Sequence, residues 1–64
     1  MNDFDKWLRE EMEKRNYSAR AMAKKTGLTY QTILFLMRGE RQPSLYTFSR
    51  ILTAFDLHME IVQN

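Results

Sequence analysis

Apolar side chains recur along this chain with two different periods. Between residues 3 and 15, Phe4, Trp7, Leu8 and Met12 fall at i, i+3, i+4 and i+8, one stripe of an amphipathic helix. Asp3 or Asn2 is placed to cap it, and Asp5 sits well in its first turn. Asn16 and Tyr17 break the stripe. Ser18 opens a second helix running to about Lys25, with Tyr17 and Met22 at the spacing of a hydrophobic staple. Gly27 follows its last turn, where a left-handed residue closes a helix at little cost. Thr29 caps a third helix, Leu28 and Ile33 repeat the staple spacing, and Gly39 ends it. Pro43-Ser44 opens a fourth, whose buried stripe reads Leu45, Phe48, Ile51, Leu52 and Phe55. The period then changes: Leu57-His58-Met59-Glu60-Ile61 alternates apolar with polar, so a short strand is expected at about 57–62.

The third helix contains a run of five large apolar residues, Ile33-Leu34-Phe35-Leu36-Met37. A surface helix buries a single stripe, so part of this run must point outward. With Ile33 and Leu36 inward, helical geometry turns Gln31, Leu34, Phe35 and Arg38 out, and Met37 flanks the buried stripe. Two short helices meet around a tight turn here. Ala23 is small where the second helix must approach the third, and Gly27 supplies the unusual backbone of the turn. That is helix-turn-helix logic, in which the later helix is held out to enter a major groove.

Composition narrows the reading. The chain has 64 residues, no cysteine and one histidine, His58. One small domain over 1–64 is expected, with neither disulfides nor a metal to reinforce its core, and no cofactor. Tight helix packing or oligomerisation must compensate. The opening Met-Asn-Asp-Phe-Asp is acidic where a secretory leader would be basic, and no apolar run approaches the roughly 18 residues of a membrane span. A cytoplasmic protein with no membrane partner is expected.

Net charge is +2, but it is unevenly placed. Residues 1–13 carry Lys6 and Arg9 against Asp3, Asp5, Glu10, Glu11 and Glu13, a balance of −3. Residues 14–41 carry Lys14, Arg15, Arg20, Lys24, Lys25, Arg38 and Arg41 against Glu40, a balance of +6. Residues 42–64 stand at −1, from Arg50, Asp56 and Glu60. A basic middle between acidic ends suits a polyanion-binding face.

Candidate chemistry other than binding is thin. Glu10, Glu11 and Glu13 form a solvated charge run rather than a paired acid and base, and His58 has no neighbours for a catalytic dyad. Two glycines cannot build a phosphate-cradling loop. Phe4, Trp7, Phe48 and Phe55 stand at helical spacing and are expected in the core, not as base-stacking platforms. An enzyme is not expected.

The stretch SARAMAKKTGLTYQTILFLMRGERQPSLYTF resembles the Cro/phage-repressor (XRE-like) helix-turn-helix family, chiefly through Ala23, Gly27, Thr32-Ile33, Arg38-Gly39 and Pro43-Ser44. The resemblance runs from about Leu8 to Leu57, with the helix-turn-helix itself at about 18–38. It implies an all-α, compact bundle of four or five helices, here with the short C-terminal β-strand added. It also implies a homodimer that binds an operator in double-stranded DNA and regulates transcription. Carried onto this chain, the base-reading positions are Thr29, Tyr30, Gln31, Leu34 and Phe35. Gln31 suits a bidentate contact to adenine, and Leu34 and Phe35 suit thymine methyl groups. The phosphate-contacting positions are Ser18, Arg20, Arg38, Gly39, Arg41 and Gln42, the loop acting in part through its backbone.

Some positions depart from the family pattern. Leu34 and Phe35 stand where polar or small residues are usual, and Ala19 where a polar phosphate contact is common. Either the site is rich in thymine, or this face meets a protein. An isolated strand leaves its backbone groups unsatisfied, so the tail is expected to pair across a two-fold axis, burying Leu57, Met59 and Ile61 in the dimer interface. Terminal strands of this kind resemble those of small antitoxins, which brings a toxin protein in as a further partner. The leading reading is a repressor or autoregulating antitoxin. The competing one is an interaction module whose third helix binds a protein.

Overall fold

The stripes fold as four helices, α1 (Phe4–Arg15), α2 (Ala19–Thr26), α3 (Tyr30–Arg38) and α4 (Leu45–Ala54), in a computed structural model that describes residues 3–60 and 62. No fifth helix occurs among the described residues. α3 packs against α1 and α2, and α4 packs against α2. Their stripes meet in one core of Leu8, Met12, Met22, Ile33, Leu36, Ile51 and Phe55. Phe4, Trp7 and Phe48 join at its margin, half-buried, with tilted or edge-on ring contacts at centroid separations of 5.7 to 6.3 Å. Trp7 also meets the buried Phe55 edge-on at 5.8 Å, so the aromatic residues join α1 to α4.

Local chemistry sets the helix limits. Ser18, Thr29 and Ser44 each sit in extended backbone and accept a hydrogen bond from the main-chain N–H three residues on, at 3.1 Å. Asn16, Gly27 and Gly39 close α1, α2 and α3 in the left-handed conformation. Asp3 is the residue before α1, but its side chain makes no capping bond, because its backbone (ψ 18°) is not extended. Asn2 lies outside the described residues.

Two further expectations fail. Leu45, assigned to the buried stripe of α4, is 72 % exposed. It is the first residue of α4, and a helical Cα–Cβ bond leans toward the N-terminus, so its side chain projects past the first packed turn. The strand at 57–62 is also absent: residues 57–60 and Val62 have no regular structure, and Ile61 lies outside the described residues. Here the chain is still finishing α4. With Asp56 left-handed (φ 60°), the Leu57 N–H reaches back to the Leu52 carbonyl at 2.8 Å. A strand also needs a neighbour to pair with, and no other strand exists among the described residues.

Candidate nucleic-acid interface

The turn between α2 and α3 is held by side chains rather than by glycine alone. Gly27 has φ 79°, and its N–H bonds to the Ala23 carbonyl. Thr26 is buried; its hydroxyl donates to the Met22 carbonyl at 2.6 Å and accepts from the Leu28 N–H at 3.2 Å. From α4, the Arg50 Nε–H donates to the Thr26 carbonyl at 2.9 Å, placing a cation at the negative end of the α2 dipole. The far end of α3 is held from α1. Arg9 bonds to the Met37 carbonyl and to the Asp5 carboxylate, and Asp5 lies against Gly39 at 3.1 Å from where a Cβ would stand. α3 is thus fixed at both ends while its outer face stays open.

Sequence reading did not find Thr26, Arg50, Asp5 and Arg9 in these roles. Thr26 precedes a helix-ending glycine, a local hint. Arg50 lies 24 residues from its partner and Arg9 28 from Met37, and no local pattern signals such contacts.

On the open face, Gln31 and Arg38 are exposed, and Leu34 and Phe35 are half-buried. Tyr30 is exposed at the first position of α3. Thr29 is exposed too, but its hydroxyl accepts from the Thr32 N–H and donates to the Thr32 Oγ1 at 2.8 Å, so its first task is to cap α3. Ser18 likewise caps α2. The Ala19 and Arg20 amides precede the first bond inside that helix, and such N-terminal N–H groups suit phosphate oxygens. Ala19 therefore contributes a main-chain donor in place of a polar side chain. In the loop after α3, the Gly39 N–H bonds to the Leu36 carbonyl and the Glu40 N–H to the Phe35 carbonyl. Arg41 and Gln42, both exposed, keep main-chain donors with no such bond.

Charge pairing divides the molecule. On α1, Arg9 is paired with Asp5 at 3.2 Å, and Lys14 and Arg15 are both paired with Glu11, which leaves Lys6 as the one α1 cation without a carboxylate among the described residues. Hydrogen bonds from Lys14 first and Arg15 second hold the Glu11 carboxyl below the ordinary glutamate range. Around α2 and α3 no carboxylate neutralises Arg20, Lys24, Lys25, Arg38 or Arg41 among the described residues. Lys25 rests over Tyr17, Arg20 over Tyr30 and Arg41 over Phe35. The expected dimer residues Leu57 and Met59 are exposed. With Leu52 they line a shallow groove of about 270 Å³ beside α4.

A projecting helix, an anion-ready helix start and cations around α2 and α3 without carboxylate partners among the described residues define a helix-turn-helix nucleic-acid-binding domain. A helix-turn-helix family model matches residues 8–62, and the chain belongs to that family, of the Cro/phage-repressor (XRE-like) type, whose members are DNA-binding transcription regulators and generally not enzymes. No curated protein and no solved structure matches the chain. Among the described residues, no helix is long and apolar enough to cross a membrane.

Proposed function

We propose that this chain is a dimeric, sequence-specific regulator that reads an operator in double-stranded DNA, as a repressor or as an antitoxin controlling its own operon. The division of charge carries this reading. Three of the four cations of α1, Arg9, Lys14 and Arg15, are paired with carboxylates and only Lys6 is left, whereas among the described residues none of those around α2 and α3 has a carboxylate to neutralise it. Gln31, with Leu34 and Thr29 beside it, faces the bases. Ser18, Arg20, Arg38, Gly39, Arg41 and Gln42 line the phosphates, Arg41 and Gln42 with free main-chain donors as well. A single recognition helix spans few base pairs, so useful specificity calls for two half-sites about 34 Å apart. The groove between α4 and the tail seats the second subunit, with Leu57, Met59 and Ile61 in the contact. A toxin protein bound at this same end distinguishes the antitoxin branch.

The test is binding to the chain's own promoter DNA across a salt series. Neutralising about four to six phosphates per dimer gives a log–log slope of roughly −4 to −5. The competing reading, α3 docked on a protein, draws on the half-buried Leu34 and Phe35. Folded protein that binds no duplex at low salt would leave that reading standing and remove this one.

A further inference from the structure

Tyr30 and Phe35 lie on the outward face of α3, yet each ring already carries an arginine. Arg20, the second residue of α2, places its guanidinium carbon 4.6 Å from the Tyr30 ring centroid. Arg41, from the loop after α3, places its own 4.9 Å from that of Phe35. Both lie inside the roughly 6 Å reach of a cation–π contact. Their placement around the helix follows from its geometry. At about 100° per residue, with Tyr30 at zero, Leu34 falls near 40°, Arg38 near 80°, Gln31 near 100° and Phe35 near 140°. The buried Leu36 and Ile33 fall near 240° and 300°. The two rings therefore bound the outward arc at its edges, with Gln31, Leu34 and Arg38 between them. A helix in the major groove meets base edges on the floor and phosphates along the walls.

We propose that Tyr30 and Phe35 are positioning residues, whose rings hold Arg20 and Arg41 at the two edges of the reading helix, aimed at the phosphate walls. This rests on the DNA-binding reading above and reassigns two of its expected base readers. The arginines have no other anchor: no carboxylate or backbone partner holds either side chain among the described residues. Arg15, which also covers a ring, is the contrast. It pairs with Glu11 and bonds to the Phe55 carbonyl at 3.4 Å, so its donors are spent inside the fold. A guanidinium stacked on a ring keeps its in-plane N–H donors for phosphate, and its side chain loses less freedom when DNA arrives. A ring covered in this way no longer offers that face to a thymine methyl. Large aromatic side chains at outward positions then have a use that needs no protein partner.

The experiment compares two labelled duplexes, one selected by the wild-type chain from a randomised pool and one with that sequence scrambled. Phe35→Leu and Tyr30→Leu are expected to weaken binding to both by the same factor, about three- to tenfold. Phe35→Tyr keeps a ring and should bind as wild type. Phe35→Leu should add little further loss once Arg41→Ala is present, whereas Gln31→Ala should lose discrimination between the duplexes. A readout without DNA is the Arg41 δ-methylene proton resonance, shifted upfield by the ring in wild type and in Phe35→Tyr but not in Phe35→Leu. Circular dichroism verifies the fold of each variant. The proposal is overturned by a loss confined to the selected duplex, by full additivity with Arg41→Ala, or by an unshifted Arg41 resonance in wild type. Wild-type protein that binds neither duplex at low salt sinks the DNA-binding reading itself, a different result.

Discussion

Among the described residues, Glu11 is the one carboxylate that pairs with two cations, Lys14 and Arg15, both on α1. Their hydrogen bonds hold its folded-state pKa below the ordinary value. A depressed carboxylate pKa contributes stability that is fully present above the unfolded pKa and lost as pH falls through the folded one. Glu11→Gln should therefore melt below wild type at neutral pH. The gap should close on acidification, beginning near pH 4 where an unperturbed glutamate protonates. Thermal melts across that range check it. A gap independent of pH would assign the loss to something other than the charge. The partners of Glu11 follow from i, i+3 and i, i+4 spacing and were open to sequence reading. Those of Arg9 and Arg50 were not.

At the scale of elements, the helix-turn-helix depends on α4 reaching back to α2. Gly27 combines φ 79° with an Arg50 Nη2 that would lie 3.2 Å from an added Cβ. Gly27→Ala should cost about 1–2 kcal/mol from the left-handed backbone, and more where Arg50 must move. Arg50→Met keeps the apolar stem but removes the bond to the Thr26 carbonyl, an expected loss of about 1 kcal/mol. Urea unfolding measures both, as a lower midpoint at unchanged slope. An Arg50→Met midpoint equal to wild type would show that the cation on α2 contributes nothing. The element boundaries themselves were legible: Ser18, Thr29 and Ser44 cap where the sequence places caps, and Gly27 and Gly39 are left-handed where it places stops. Leu45 misled because periodicity assigns a face but not the point where packing begins.

For the whole molecule, the exposed tail is the feature a single chain leaves unexplained. Val62 is 78 % exposed and Met59 46 %, on a domain with little core to spare. Deleting residues 59–64 spares the Leu57 N–H that closes α4. It should lower dimer affinity and DNA affinity in step, with helix content unchanged. Light scattering across a concentration series, beside circular dichroism, makes the measurement. A truncated chain that dimerises as tightly as the full one would move the interface elsewhere on the surface.

The sequence by itself determined the four helices, the caps of α2, α3 and α4, the stops of α1, α2 and α3, the inward stripes apart from Leu45, and the family, because each rests on neighbours within a few residues. Periodicity also separated Gln31 and Arg38 from Ile33 and Leu36. Tertiary structure decided what those faces meet. It spent the Gly39 and Glu40 amides on closing α3, set Arg41 over Phe35 and Arg20 over Tyr30, and brought Asp5 and Arg9 to the end of α3. It also left the alternating tail without a strand. Alternation records which side chains would share a face, but a β-ladder exists only where a second backbone supplies its hydrogen bonds.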